Sequence, residues 1–232
     1  MSILNSYFYS FWREFLSFFP EQIIFIKRTI PYFSQFASAD LAEKIVTGKM
    51  QAKDDPNWKE SGAHTAQEYA LWSRNMCGMA CLKMILAYLG TSEVRLVQLA
   101  KACMQYGGYV ITGEKIDGLF YEPFCRYVKK RWALSAMIAP VLTMRRIRYE
   151  IGLGNFVIVS VHPGIRNQQK KKDEKNGGHL VLLTGFDLQK HTLYLHNPSG
   201  FTKLSQEHFE ISEVDFLRFF AGRGIVICKH SL

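Results

Sequence analysis

The sequence predicts an α+β fold, with a helical first half packed on an antiparallel sheet formed late in the chain. Three observations predict it. An apolar run at helical spacing follows a cysteine in WSRNMCGMACLKMILAYLG, residues 72–90. The short apolar run FVIVSV, residues 156–161, has the length and β-branched content of a buried strand. Two further apolar runs, HLVLLTGF and TLYLHNPSG, flank a turn around Asp187 to Lys190 and form a hairpin pattern.

At 232 residues the chain suits one domain, or an arm of residues 1–29 followed by a domain of residues 30–232. An apolar fraction of 48% with 14% aromatics supplies a substantial core. The net charge of +9 suits an acidic partner, anionic lipid or nucleic acid. Much of the excess, however, lies in the loop 164–178 and in Arg126, Lys129, Lys130 and Arg131. Zinc-finger spacing and an RNA-binding aromatic signature are both missing, so no nucleic-acid partner is expected. The five cysteines, at 77, 81, 103, 125 and 228, are odd in number and dispersed. That excludes a disulfide framework and suits a reducing, cytoplasmic setting. Cys77 and Cys81 lack a second pair at ligand spacing, so neither a metal nor another cofactor is expected.

In chain order, the aromatic N-terminus places Phe8, Phe11, Phe15 and Phe18 or Phe19 at helical spacing, with Trp12 beside them. It reads either as a helix packed on the domain or as an interfacial or partner-binding helix. It falls short of the ~18 uninterrupted apolar residues of a membrane span, and it lacks the pattern of a signal peptide. IPYFSQ, residues 30–35, is extended behind its proline. Residues 37–49 read as a helix, 54–62 as a loop and 65–72 as a short helix. Gly90 stops the central helix, and Ser92 is the candidate N-cap of the next. Tyr106 to Gly118 reads as a glycine-rich loop. Leu119–Lys130 and Val141–Gly152 read as helices. The charged stretch Gly164 to Gly178 is either a solvated loop or a lid over a site.

Cys77 falls in the first turn of the central helix. Unpaired backbone N–H groups and the positive end of the helix dipole meet there, and both favour a thiolate. The alternative is a buried structural cysteine. The hairpin supplies a possible base. With the turn centred on Leu188, residues whose numbers sum to 376 face each other. His179 then opposes Asn197, Val181 opposes Leu195 and Leu183 opposes Leu193, all on one face. A shift of one residue still leaves a diagonal neighbour within reach. A nucleophilic cysteine needs a base, and the base needs a group that orients its ring. The side-chain carbonyl of Asn197 can do that. His196 belongs on the opposite face.

The ordered set IPYFSQ, NMCGMACLKMILAYLG, VSVHP, GGHLVLLTGFD, LYLHNPSG and ISEVDFLRFFAGRGIVI resembles the papain-like cysteine peptidases. It is most similar to those related to the bacterial bacteriocin-processing, double-glycine-leader peptidases. The resemblance spans about residues 30 to 227. It implies a papain-like fold with Cys77 as nucleophile, His179 as general base and Asn197 as the orienting residue. Asn-Pro stands where the processing peptidases usually have Asp-Pro, and asparagine is the papain-type choice. The resemblance also implies an upstream glutamine as oxyanion donor, for which Gln35 is the match. Gln35 precedes Cys77 by 42 residues, so an insertion has to loop out between them. Asn75 is the alternative donor, or else an N-cap. Leu71 occupies the position six before the cysteine, where papain-type enzymes place the glutamine. No transporter follows the domain, so leader processing during export is not implied.

The function expected is hydrolysis of a peptide or isopeptide bond in a peptide or protein substrate. The alternatives are an amidase or transpeptidase on the same triad, as in the phytochelatin-synthase-like branch, and a binding or membrane-surface protein on a peptidase-like fold.

Overall fold

The structure, a computed structural model, describes residues 11–14, 25–91, 93–169 and 174–228. Its strands are β1 (Phe25–Lys27), β2 (Tyr109–Thr112), β3 (Lys115–Gly118), β4 (Ser135–Ala139), β5 (Phe156–Val161), β6 (His179–Asp187), β7 (Thr192–His196), β8 (Phe209–Ser212) and β9 (Phe220–Cys228). The main sheet runs β4-β9-β5-β6-β7-β8. Its strand pairs are antiparallel, and β1 joins the far end of β6, with Phe25 opposite Asp187.

Helices cover both faces of this sheet, which explains the continuous apolar runs in β5 and β6. Leu180 and Leu182 point to a core shared with the helices Cys77–Tyr88, Leu96–Met104 and Tyr121–Trp132. Val181, Leu183, Leu193 and Leu195 point the other way, toward Ile147 and Ile151 of the helix Met144–Gly152 and toward Phe216 and Phe219 of the helix Glu213–Phe219. A third small core of Phe36, Ala42, Ile45, Ala52 and Tyr69 organises the segment between Gln35 and the central helix. Asp55 is its polar centre and accepts from Ser38, from the Tyr69 hydroxyl at 2.6 Å and from the Asn57 N–H.

The central helix forms because its apolar residues leave almost no polar face. Met79, Cys81, Leu82, Met84 and Ile85 are fully buried. Side chains of this size contribute roughly 1.5–3 kcal/mol each. The half-buried Lys83 lays its ammonium over the Phe33 ring at 4.4 Å. The helix stops at Gly90, which has φ +94°. The Thr91 N–H reaches Leu86 O at 2.8 Å and the Gly90 N–H reaches Ala87 O at 3.1 Å, the paired bonds of a left-handed cap.

Several elements differ from the sequence reading. Tyr106 to Gly118 contains the hairpin β2–β3, whose turn is built on Gly113 at φ +61°. The helix after Gly90 begins at Leu96 with Arg95 as N-cap; residue 92 lies outside the described residues. Strands β1, β4 and β9 were not expected. Most of the aromatic N-terminus also lies outside the described residues. Residues 11–14 are helical and touch the domain, with Arg13 Nε donating to Glu150 Oε1 at 2.9 Å. Among the described residues no helix is long and apolar enough to cross a membrane.

Candidate active site

Cys77 is the first residue of the central helix, and Met76 rather than Asn75 is its N-cap. No side chain caps this end, so the first-turn N–H groups stay available around the sulfur. The helix start packs tightly on the adjoining loop and strand. A Cβ on Gly78 would lie 2.6 Å from Leu119 Cδ2 and 3.0 Å from Leu180 Cδ1. Leu180 ties the helix to β6 through both of its peptide groups. Its N–H donates to the Cys77 sulfur, and its carbonyl accepts from Cys81 Sγ at 3.8 Å.

His179, immediately before Leu180, opens β6 and is 1% exposed. Its Nε2 lies 2.8 Å from Asn197 Oδ1. The Ser199 N–H donates to the same oxygen at 3.2 Å, which fixes the orientation of the amide. With Nε2–H donating to Asn197, Nδ1 is the acceptor nitrogen. The expected direct pairing of these two residues is not what brings them together. Asp187 pairs with Thr192 and Leu183 with Leu195, with an irregularity between Leu183 and Gly185, and the ladder ends at His196. Asn197 sits just beyond it, in the diagonal position the sequence reading allowed for. Leu183 therefore opposes Leu195, not Leu193.

His196 is separate from this group, as expected. It donates from Nε2 to Ile30 O at 2.7 Å and accepts the His208 N–H on Nδ1.

Gln35 is buried at the crossing of three segments. Its N–H donates to Pro198 O at 2.8 Å, and its Nε2 donates to Ser73 O at 2.8 Å. That leaves one side-chain N–H uncommitted, on a residue joined to both the segment before Cys77 and the segment after Asn197. Asn75 is turned away from helix capping. Its Nδ2 donates back to Leu71 O at 3.3 Å, and its carbonyl accepts from the Tyr109 hydroxyl.

Electrostatics correct one expectation. Burial pushes the Cys77 thiol above its ordinary value. The Leu180 N–H, the Arg166 charge and the N–H groups of Gly78 and Cys77 act in the opposite direction without overcoming it. Helix-end stabilisation is present, but desolvation outweighs it. Burial, aided by the Arg166 charge, lowers His179 to about 3, against its hydrogen bond to Asn197. Desolvation thus acts on both groups in the same sense, against the charged thiolate and against the charged imidazolium.

Arg166 and Ser199 belong to this constellation and were not singled out in the sequence. Arg166 ends the short turn Pro163–Arg166, anchored by buried Ile165, so the charged loop begins as ordered structure beside the site. Its Nε donates to Ser199 Oγ at 2.7 Å, and that oxygen lies 3.3 Å from His179 Nε2. Only the position of Ser199 in the Asn-Pro-Ser-Gly motif gave any signal.

The sequence model of the Peptidase C39 like family matches residues 30–218. The chain belongs to that family, and it is a papain-like cysteine peptidase, a hydrolase acting on peptide or protein substrates. A solved structure from Bacillus anthracis, described as a C39-like peptidase, shares the fold at 17% identity and a TM-score of 0.51. The match covers 68% of this chain and 90% of that one. No curated protein matches.

Proposed function

We propose that Cys77, His179 and Asn197 act as a triad that cleaves a peptide or isopeptide bond through an acyl-enzyme. The observation that carries this reading is the buried 2.8 Å contact between His179 Nε2 and Asn197 Oδ1, one residue from the peptide N–H that meets the Cys77 sulfur. Cys77 Sγ attacks the carbonyl carbon as its proton passes to His179 Nδ1. The oxyanion is held by the Cys77 N–H and by Gln35. His179 then delivers its proton to the departing amine. Water attacks the thioester, His179 takes the water's proton, and the acid and the thiol are released. Desolvation disfavours a preformed ion pair, so in this reading the proton moves during attack. The five free cysteines fit work in a reducing compartment such as the cytoplasm. The domain begins before the residue 30 expected from the sequence, because β1 pairs with β6 and Arg28 donates to the carbonyls of Ile151, Gly154 and Asn155.

The test is to incubate the protein with a peptide mixture and follow it by intact-mass and peptide mass spectrometry. The reading expects an acyl adduct on Cys77 and new peptide termini, both absent in Cys77→Ala. Transfer of the acyl group to an added amine, in preference to water, would replace the peptidase with a transpeptidase. Absence of any Cys77 adduct or cleavage would overturn the assignment.

A further inference from the structure

Arg166 is more than a neighbour of the triad. Its backbone is locked by Ile165 in the core and by the Phe201 N–H donating to its carbonyl at 3.4 Å. Its Nε is committed to Ser199 Oγ, which sits against His179. That bond aims the guanidinium and leaves its two terminal nitrogens with no protein partner among the described residues. No carboxylate pairs with it there either. The titratable groups that act on Arg166 are Cys77 and a second arginine, Arg74. Arg74 is itself used elsewhere, donating to Ile45 O at 2.6 Å. Arg223 is occupied elsewhere, hydrogen-bonding the Tyr121 hydroxyl and lying against Gly177. Arg166 is thus the arginine whose charge acts on Cys77, and it has no carboxylate partner among the described residues.

A half-buried guanidinium is costly unless it is paired. A fork with its terminal nitrogens open matches a carboxylate bidentately. We propose that Arg166 binds a substrate carboxylate next to the scissile bond, so that acidic peptides are the preferred substrate class of this site. The inference rests on Cys77 being the nucleophile, as proposed above. Ser199 is its positioning residue, holding the guanidinium through Nε while its own N–H holds Asn197. The carboxylate can be an Asp or Glu side chain or a chain terminus; the chemistry is shared.

The test compares alkylation of Cys77 by iodoacetate, which carries a carboxylate, with alkylation by neutral iodoacetamide. The ratio of the two rates cancels the thiolate fraction. In wild type the ratio exceeds that of an unstructured cysteine peptide by roughly tenfold. Arg166→Gln brings it down to the peptide's value, Arg166→Lys keeps part of it, and Arg74→Gln changes it by less than about twofold. A wild-type ratio equal to the peptide's overturns the inference without any variant. So does an equal fall in Arg74→Gln and Arg166→Gln, which would assign the selectivity to the general field. Failure of both reagents to label Cys77 would instead overturn the nucleophile assignment. In a peptide mixture, Asp or Glu is enriched beside the cleaved bonds. Converting that residue to Gln or Asn raises KM by roughly tenfold in wild type and much less in Arg166→Gln. To separate the two sources, amidating the C-terminus affects cleavage only if the recognised group is the chain terminus. Cleavage sites without acidic enrichment, and indifferent to amidation, count against the proposal.

Discussion

His179 Nε2 and Asn197 Oδ1 stand 2.8 Å apart, and both residues are buried to within 1% of full enclosure. A neutral acceptor faces Nε2–H, so the contact orients the ring while adding little to its basicity. Cys77→Ala and His179→Ala should abolish turnover, with circular dichroism unchanged. Asn197→Ala should be milder, because no bond is made or broken at residue 197. Asn197→Asp places a carboxylate on the imidazole and raises its pKa. The acid limb of kcat/KM should then move to higher pH, since the working base is the neutral ring. Loss in Asn197→Ala equal to that in Cys77→Ala would show that this division of roles is wrong.

Gln35 gives a second prediction. Removing an oxyanion donor lowers turnover by about 100- to 1,000-fold. Gln35→Ala should fall in that range while iodoacetamide still labels Cys77, because alkylation forms no oxyanion. Asn75→Ala should lower the melting temperature more than the turnover, since its amide serves only Leu71 O. The reverse pattern in paired assays would transfer the donor role to Asn75.

A third prediction follows from the buried imidazoles. His179 is lowered to about 3, mainly by burial and then by Arg166, and His196 to about 4, mainly by burial. Both remain neutral in the fold but take up a proton when the chain unfolds. Their contribution is therefore complete above the unfolded value of 6.5 and is lost as pH falls from there toward 4 and 3. Each removes up to about 1.4 kcal/mol per pH unit in that window. Urea midpoints measured from pH 7.5 to 4.5 should fall, and His196→Gln should flatten the slope.

Gly224 provides a packing test. It lies in β9 where a Cβ would come within 2.3 Å of Ile158 O on the paired strand β5. The obstacle is backbone, which side-chain rotation cannot relieve. Gly224→Ala should cost about 1–3 kcal/mol or more, read as a lower thermal midpoint. An unchanged midpoint would mean that β5 and β9 can separate there at no cost.

The N-terminal contact is equally testable. Glu150 is fully buried and is held by Arg13, by Arg146 at 3.6 Å and by Asn155 Nδ2 at 2.7 Å. Arg13→Ala leaves two of these partners and should cost about 1–3 kcal/mol. Glu150→Ala removes the carboxylate shared by Arg13, Arg146 and Asn155 at once and should cost more, about 3–5 kcal/mol. Equal effects in chemical denaturation would mean that Arg13 is the main partner.

The site was legible where chemistry and local pattern coincide. Cys77 stands before a run apolar enough to be helical in any context, and His179 and Asn197 close the two arms of one hairpin. The register was not legible. An irregularity between Leu183 and Gly185 shifts it, and no residue pattern marks where such a shift falls. Strands β4 and β9 pair with each other across a separation of more than 80 residues, so neither shows a turn signal. The hairpin β2–β3 was hidden because glycines suggested a loop, although Gly113 supplies the turn itself. Arg166 reads as one more charge in a basic stretch. Its place beside the site is set by Ile165 in the core and by its bonds with Ser199 and Phe201, all of which belong to the tertiary fold.

The position of β9 has a consequence for how the enzyme is born. This last strand lies inside the sheet, between β4 and β5, rather than at an edge. While residues 220–228 are still in the ribosomal tunnel, β5 lacks one neighbour and β4 lacks its only one. Translation proceeds at about 5–20 residues per second. Through that interval β6, which carries His179, belongs to a sheet still missing β9. The sheet behind the candidate site is therefore completed by the last of the described strands, the one that joins β4 to β5.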